Sequence, residues 1–304
     1  MVKIPVRTGV PGLDELVDGG FPRGDLILVS GKVGAGTSTM ALQYIVRGVT
    51  DYGEPGVFVS LERGRDILYL ETVGFGWPLK ALENQGNLVL LGGPMGEVMT
   101  FKKKVGAKIQ DLLSEIVETV GKIKAERLAI DGPFYELFPD KATFRQALTA
   151  LTRRLREMGC TTVITSTIEE GKSSLSRSGV EEEVADGVVV LYYEGDGLMR
   201  ERALEVRKMR GVKHSEELRF FEIADGGIRL IEPPKRSSKG SHSNNPKCLF
   251  CGTPLEKPMN VRGGGRASFC DSCAKKLEKK GLLRWYKDRT IGLRKPLLHV
   301  IERF

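Results

Sequence analysis

The run Gly31-Lys32-Val33-Gly34-Ala35-Gly36-Thr37-Ser38 has a composition and spacing suited to chemistry. Its glycines let a backbone turn tightly enough to aim several N–H groups at one anion, and a helix that opens there adds positive potential. The apolar run Leu26–Ser30 before it reads as a buried strand, and Thr39–Val46 after it has helical spacing. On this reading Gly31, Lys32, Gly34, Ala35, Gly36, Thr37, Ser38 and Thr39 surround phosphate groups. Ser38 binds magnesium, and Asp131, which ends the strand-like run 127–130, holds the water shell of that ion. The usual pattern is G-x-x-x-x-G-K-[ST], and here Thr37 stands in the lysine position. A glycine-rich strand-to-helix turn also occurs as a purely structural device, and the loop alone does not choose between the two readings.

A second constellation lies near the C-terminus. Cys248-x2-Cys251 is followed, after 18 residues, by Cys270-x2-Cys273. Two such pairs each place two thiolates on one turn, and the loop between them closes a tetrahedron, so the spacing predicts a structural zinc site with no open coordination position. A redox dithiol is the alternative for either pair. Basic residues of 275–280 and Arg284-Trp285-Tyr286-Lys287 follow. Cations beside aromatics suit nucleic-acid backbone contact with base stacking. The plainer reading is a short amphipathic helix that docks Leu277, Leu282, Leu283 and Trp285 on the zinc module. Cys160 stands alone before an apolar run and reads as a small buried residue.

The elements that must position these groups alternate through the first 230 residues. Leu26–Ser30, Val57–Leu61, Leu88–Leu91, Leu128–Asp131 and Thr162–Ser166 read as strands, and Thr39–Val46, Lys108–Lys122 and Phe144–Met158 as helices. Such alternation predicts βαβ units and a mostly parallel sheet. From Gly187 the pattern changes to successive strands, Val188–Tyr193, Ala203–Lys208, Leu218–Ile223 and Ile228–Ile231, which predicts an antiparallel extension of the sheet. Residues 233–247 (PPKRSSKGSHSNNPK) carry almost no apolar side chains and read as a flexible linker. The expected organisation is a nucleotide-binding domain over 1–232, a linker over 233–247 and a basic four-cysteine zinc module with a tail over 248–304.

Charge follows the same division. Residues 233–304 hold 17 Lys+Arg against 5 Asp+Glu, whereas residues 1–232 hold 30 against 34. A basic arm on a mildly acidic body predicts an acidic partner, either nucleic acid or an acidic protein; a solvated lysine-rich surface is the bland alternative. There is no membrane-length apolar run and no signal-peptide pattern, so the expected location is cytoplasmic, without a membrane partner.

Further segments, in order along the chain, carry a family resemblance. Thr8–Leu16 (TGVPGLDEL), Gly19–Leu26 (GGFPRGDL), the glycine loop, Val57–Glu62 (VFVSLE), Gly74–Trp77 (GFGW), Ser178–Gly187 (SGVEEEVADG) and Arg207–Gly211 (RKMRG) with His214-Ser215 together resemble the KaiC-type ATPases of the RecA superfamily. The resemblance spans residues 8 to about 231 and excludes the cysteine module. It implies a RecA-like P-loop α/β fold, ATP and magnesium as ligands, and a homo-oligomer, in this family a hexameric ring. Glu62 matches the first of a pair of acidic residues that activate the attacking water; the second position here is Arg63. Lys208 and Arg210 match a K-x-R element that in the family reaches the nucleotide of the neighbouring subunit; their alternative is a charged edge strand facing solvent. Lys32 resembles the signature lysine of deviant GKGGxGK-type loops, where it contacts phosphate; its alternative is a solvated loop lysine.

Two functions follow. One is an ATP-binding regulatory protein with a degenerate phosphate loop, at most a weak ATPase, whose basic zinc arm engages a partner. The other is a nucleic-acid-binding zinc-ribbon protein that uses the P-loop fold as an oligomerisation scaffold. Ser38, Asp131 and Glu62 favour the first; Thr37 and Arg63 favour the second.

Overall fold

The computed structural model describes residues 4–92, 105–169, 174–194 and 200–231, and in the C-terminal part residues 255, 259–260, 266–267, 269–279, 283–285 and 291–293. The chain divides into two compact units, and Met1–Tyr193 with Glu201–Glu232 make up the larger. Its centre is a nine-stranded sheet in the order β11-β10-β9-β8-β3-β7-β6-β4-β5. These strands are β3 (Leu26–Gly31), β4 (Gly56–Ser60), β5 (Leu88–Gly92), β6 (Arg127–Asp131), β7 (Thr161–Thr167), β8 (Gly187–Glu194), β9 (Glu201–Met209), β10 (Arg219–Ala224) and β11 (Gly227–Leu230). The strands β8, β3, β7, β6, β4 and β5 pair in parallel, and β9, β10 and β11 form the antiparallel extension. The α/β, mostly parallel sheet expected from the sequence is therefore present. A small antiparallel pair, β1 (Pro5–Val6) with β2 (Phe21–Pro22), precedes it.

Helices cover both faces, because alternate residues of each buried strand point to opposite sides. Ile27, Val29, Phe58, Ala129, Val163 and Val189 join one core with Met40, Tyr44 and Ile45 of α1 (Thr37–Tyr52). Leu26, Leu28, Val57, Val59, Leu128, Ile130 and Ile164 join the other. That second core is completed by Ile116 and Val120 of α4 (Val105–Ile123) and by Phe144, Leu148 and Leu155 of α5 (Lys141–Glu157). A capping interaction starts α5, where the Asp140 carboxylate accepts from the Thr143 N–H at 2.8 Å. Two short helices, α2 (Arg65–Val73) and α3 (Leu79–Asn84), were not evident from periodicity because each spans three turns or fewer. Trp77 and Phe134 are core residues, and Cys160 is fully buried, its thiol pKa pushed up to about 12 by loss of solvation. No described helix is long and apolar enough to cross a membrane.

In the smaller unit, α7 (Asp271–Lys279) follows Cys270, β12 (Met259–Asn260) pairs with β13 (Arg266–Ala267), and β14 (Leu283–Trp285) pairs antiparallel with β15 (Ile291–Leu293). Leu283 and Trp285 therefore lie in a strand, which corrects the expectation of one amphipathic helix running through both. Gly281 stands between the two elements in sequence, and glycine is a poor helix former and a common helix terminator. The segment 233–247, expected to be a linker, and the residues past 293 lie outside the described residues.

Arg127 of β6 ties the sheet to α1 and to Glu54 in the turn that follows it. The Arg127 side chain is wholly buried; its Nε donates to Glu54 at 2.6 Å, its Nη1 donates to the Tyr44 carbonyl at 3.0 Å, and its guanidinium lies 4.6 Å from the Tyr44 ring centre. It crosses α1 at Gly48, where an added Cβ would meet Arg127 Cδ and Nε at 2.2 Å. Gly48→Ala is expected to destabilise the protein by about 1–3 kcal/mol through overpacking. With Arg127→Ala in the background the sign reverses, since alanine is then favoured in a helix by about 1 kcal/mol over glycine. Urea unfolding of the four proteins checks this; equal effects of Gly48→Ala in both backgrounds would contradict the packing account.

Candidate functional site

Parallel pairing gathers the sequence-predicted groups. Gly31 ends β3 opposite Thr167 of β7, Asp131 ends β6, and Glu62 follows the end of β4, whose Ser60 pairs with Asp131. All these strands point the same way, so the glycine loop, Asp131 and Glu62 share one edge of the sheet. This is where ligands bind in open α/β sheets. Two strand spacings, roughly 10 Å, separate β3 from β6.

The loop has the conformation that its glycines require. Gly34 has φ +83° and Gly36 has φ +109°, and Gly36 is the residue before α1. No side chain caps α1, and its first turn carries no acidic residue. The N–H groups of its first turn have no intrahelical partners and face a positive helix end, the arrangement that receives phosphate. The backbone of residues 31–39 therefore fits a polyphosphate. Thr37, Ser38 and Thr39 are half-buried at the start of α1. Lys32 is half-buried, Val33 is exposed, and Ala35 is buried against the sheet.

An arginine that the sequence did not single out braces this loop. Arg202 at the start of β9 donates to the Gly34 carbonyl at 3.3 Å, and its guanidinium lies 4.2 Å from the Tyr193 ring centre. Tyr193 in turn sits against Gly34, where an added Cβ would be 3.4 Å from its ring. Arg202 and Gly34 are 168 positions apart in sequence, and only the sheet order brings them together.

For magnesium, Ser38 and Asp131 supply a hydroxyl and a carboxylate of suitable hardness. Asp131 is almost wholly buried, at 2% exposure. Its Oδ1 accepts from the Thr165 hydroxyl at 2.9 Å, and its Oδ2 accepts from Arg63 in an ion pair. Arg63 also bonds Glu71 of α2 at 2.9 Å, and its N–H donates to the Ser60 hydroxyl at 3.1 Å. The residue at the second acidic position is thus a cation held on the carboxylate expected to serve the metal. Glu62 is exposed beside Gly132.

Lys208 and Arg210 lie elsewhere. Gly187, at the start of β8, pairs with Ile27 near the start of β3, and the Arg210 N–H donates to the Asp186 carbonyl at 3.0 Å. Both residues therefore sit at the opposite edge of the sheet, roughly 16 Å along the strand direction from the loop. Lys208 Nζ donates to the carbonyls of Glu182, at 2.9 Å, and of Ala185, at the end of α6 (Glu181–Val184); Arg210 lies 3.7 Å from Asp186. Burial, and secondly the nearby Arg210 charge, lower the pKa of the Lys208 ammonium. At the first residue of α6, the buried Glu181 carboxylate accepts from the hydroxyls of Ser166 at 3.1 Å and Ser176 at 2.9 Å, and from Ser178.

Of the four cysteines, Cys248 and Cys251 lie outside the described residues, as does the side chain of Cys273; Cys270 is half-buried just ahead of α7. Among the described residues, no three His, Cys, Asp or Glu are grouped to hold a metal ion.

A β-strand, a glycine-rich turn and a helix N-terminus beside an acidic strand end define a P-loop protein of the RecA-like α/β class. Comparison with known proteins places it more closely. The profile of the family described as "ATPase: KaiC" matches residues 6–235, and the chain belongs to that family. It is 33% identical over 231 residues to the circadian clock oscillator protein KaiC of Synechococcus elongatus, covering 74% of this chain and 44% of that one. It spans about half the length of the curated KaiC relatives it matches. UPF0273 protein MK0039 of Methanopyrus kandleri is 34% identical, with 76% of this chain and 92% of that protein covered. The crystal structure of KaiC-like protein PH0186 from Pyrococcus horikoshii OT3 superposes with a TM-score of 0.67 at 36% identity, covering 76% of this chain and all of that one.

Gly36→Ala tests the loop. A side chain at φ +109° costs about 1–2 kcal/mol, and the new Cβ would lie 2.9 Å from Ile223 Cδ1. The expected outcome is a loss of that size in urea unfolding together with weakened binding of a fluorescent ATP analogue. Unchanged stability would show that the loop relaxes freely.

Proposed function

We propose that this chain is an ATP-binding regulatory protein in which nucleotide occupies the 31–39 loop and hydrolysis is slow or absent. The observation that carries this reading is a phosphate cradle whose backbone is intact while its usual lysine is replaced by Thr37. Backbone N–H groups and a helix N-terminus supply much of the phosphate affinity, so binding survives the replacement. The lost ammonium is a fixed charge where electrons shift during phosphoryl transfer, and such a group is worth about 3–4 kcal/mol of barrier, or about a hundredfold to a thousandfold in rate. Where magnesium binds, Ser38 and Asp131 would hold it, and it would supply charge neutralisation at the phosphates. Glu62 stands beside Asp131 as the group to orient water. Lys208 and Arg210 face away from the chain's own loop, which supports their acting on the nucleotide of a neighbouring subunit in a homo-oligomeric ring. The basic four-cysteine arm, with zinc on Cys248, Cys251, Cys270 and Cys273, is the element that nucleotide state controls.

Thr37→Lys is expected to raise ATPase activity by about a hundredfold or more from its basal level. If Lys32 already supplies the charge, wild type hydrolyses ATP and Lys32→Ala abolishes turnover while leaving nucleotide bound. Failure of wild type, Thr37→Lys and Lys32→Ala all to bind ATP by calorimetry would sink the nucleotide reading and leave the scaffold reading.

For the arm, metal analysis of protein purified without chelators is expected to give one zinc per chain, and Cys248→Ser to lose it with the larger unit still folded. Gel shifts with DNA and RNA test its partner. Binding that weakens steeply with salt and disappears in a chain ending at Ile231 identifies nucleic acid; equal binding by the shortened chain excludes the arm.

A further inference from the structure

Arg63 carries a consequence for the metal requirement of the loop, resting on the nucleotide reading above. A buried carboxylate at the end of β6 repels a polyphosphate two strands away, and in a P-loop site the metal ion removes that repulsion. Here Asp131 already has a cation. Its Oδ2 is ion-paired with Arg63 and its Oδ1 is held by Thr165, so both oxygens have a donor. The guanidinium is itself held from two sides, by Asp131 and by Glu71 on α2 at 2.9 Å, and the backbone N–H of Arg63 donates to the Ser60 hydroxyl at 3.1 Å, which fixes where the side chain starts. The Asp131 side chain is only 2% exposed and that of Arg63 27%, so solvent screens this pair weakly. A magnesium ion that takes a place beside Asp131 must compete with Arg63 for the same oxygen.

We propose that Arg63 holds the place of the divalent cation on Asp131, so that the 31–39 loop binds nucleotide with little dependence on magnesium. Arg63 is then a positioning residue: it touches the carboxylate and sets the charge that the phosphates meet. Glu71 supplies a second anion to which the guanidinium stays tethered if magnesium displaces it.

The test is calorimetric titration of the full chain with ADP, in excess magnesium and in EDTA, for wild type, Arg63→Met, Arg63→Lys and the double variant Arg63→Met with Asp131→Asn. Wild type is expected to bind ADP in EDTA within about threefold of its affinity in magnesium, which is well under 1 kcal/mol. Arg63→Met is expected to widen that ratio to about tenfold or more, by weakening the EDTA arm. Arg63→Lys keeps the charge and the narrow ratio. In the double variant the repelling carboxylate is gone as well, and the narrow ratio returns even if Arg63→Met alone folds poorly. A wide ratio in wild type, or one that Arg63→Met leaves unchanged, overturns the proposal while the nucleotide reading stands. Absence of ADP binding in every protein and both buffers overturns the two together.

Discussion

The site depends on parallel pairing of β3 with β7 and of β4 with β6, which aligns strand ends that are far apart in sequence. A strand places its last residue wherever its hydrogen-bonded neighbours end, so the ladder that pairs Gly31 with Thr167 and Ser60 with Asp131 fixes a common edge. The loop, the buried carboxylate and the exposed glutamate are arranged by that ladder before any contact between them is made. The antiparallel return of β9 has the converse effect. It carries Arg202 to the loop at one end and Lys208 and Arg210 to the far edge at the other.

Charge at this edge is redistributed rather than simply lost. Thr37 removes a cation from the phosphate loop, while Arg63 adds one at a position where the resemblance calls for an acid. Arg202 adds another behind the loop, bound to the Gly34 carbonyl. These cations do not replace a lysine in its own geometry. Arg63 is committed to Asp131 and Glu71, and Arg202 to a carbonyl and an aromatic face. Such a site retains attraction for phosphate but not a charge aimed at the transferring group, and differential stabilisation of the transition state is what catalysis requires.

The core follows from side-chain alternation more than from any single contact. Each central strand sends successive residues into two helix-covered cores, and Arg127 enters one of them only because Glu54, Tyr44 and the bare Cα of Gly48 receive it. A charged residue in an apolar strand is costly unless its partners are already in place.

The sequence by itself determined the strand–helix alternation, the change to antiparallel strands after Gly187, the glycine loop, and the family, because these are written in local periodicity and in ordered motifs. It also showed that Thr37 and Arg63 depart from the family pattern. It left α2, α3 and the short β1–β2 pair unread, since elements of a few residues have too little period to register. It placed Leu283 and Trp285 in a helix, where tertiary pairing made a strand. Only the folded chain decided that Arg63 is spent on Asp131, that Arg202 braces Gly34 across 168 residues, and that Lys208 and Arg210 turn away from their own loop. Those are charge placements between strands distant in sequence, and spacing along a chain carries no information about which strand ends become neighbours until the sheet order is set.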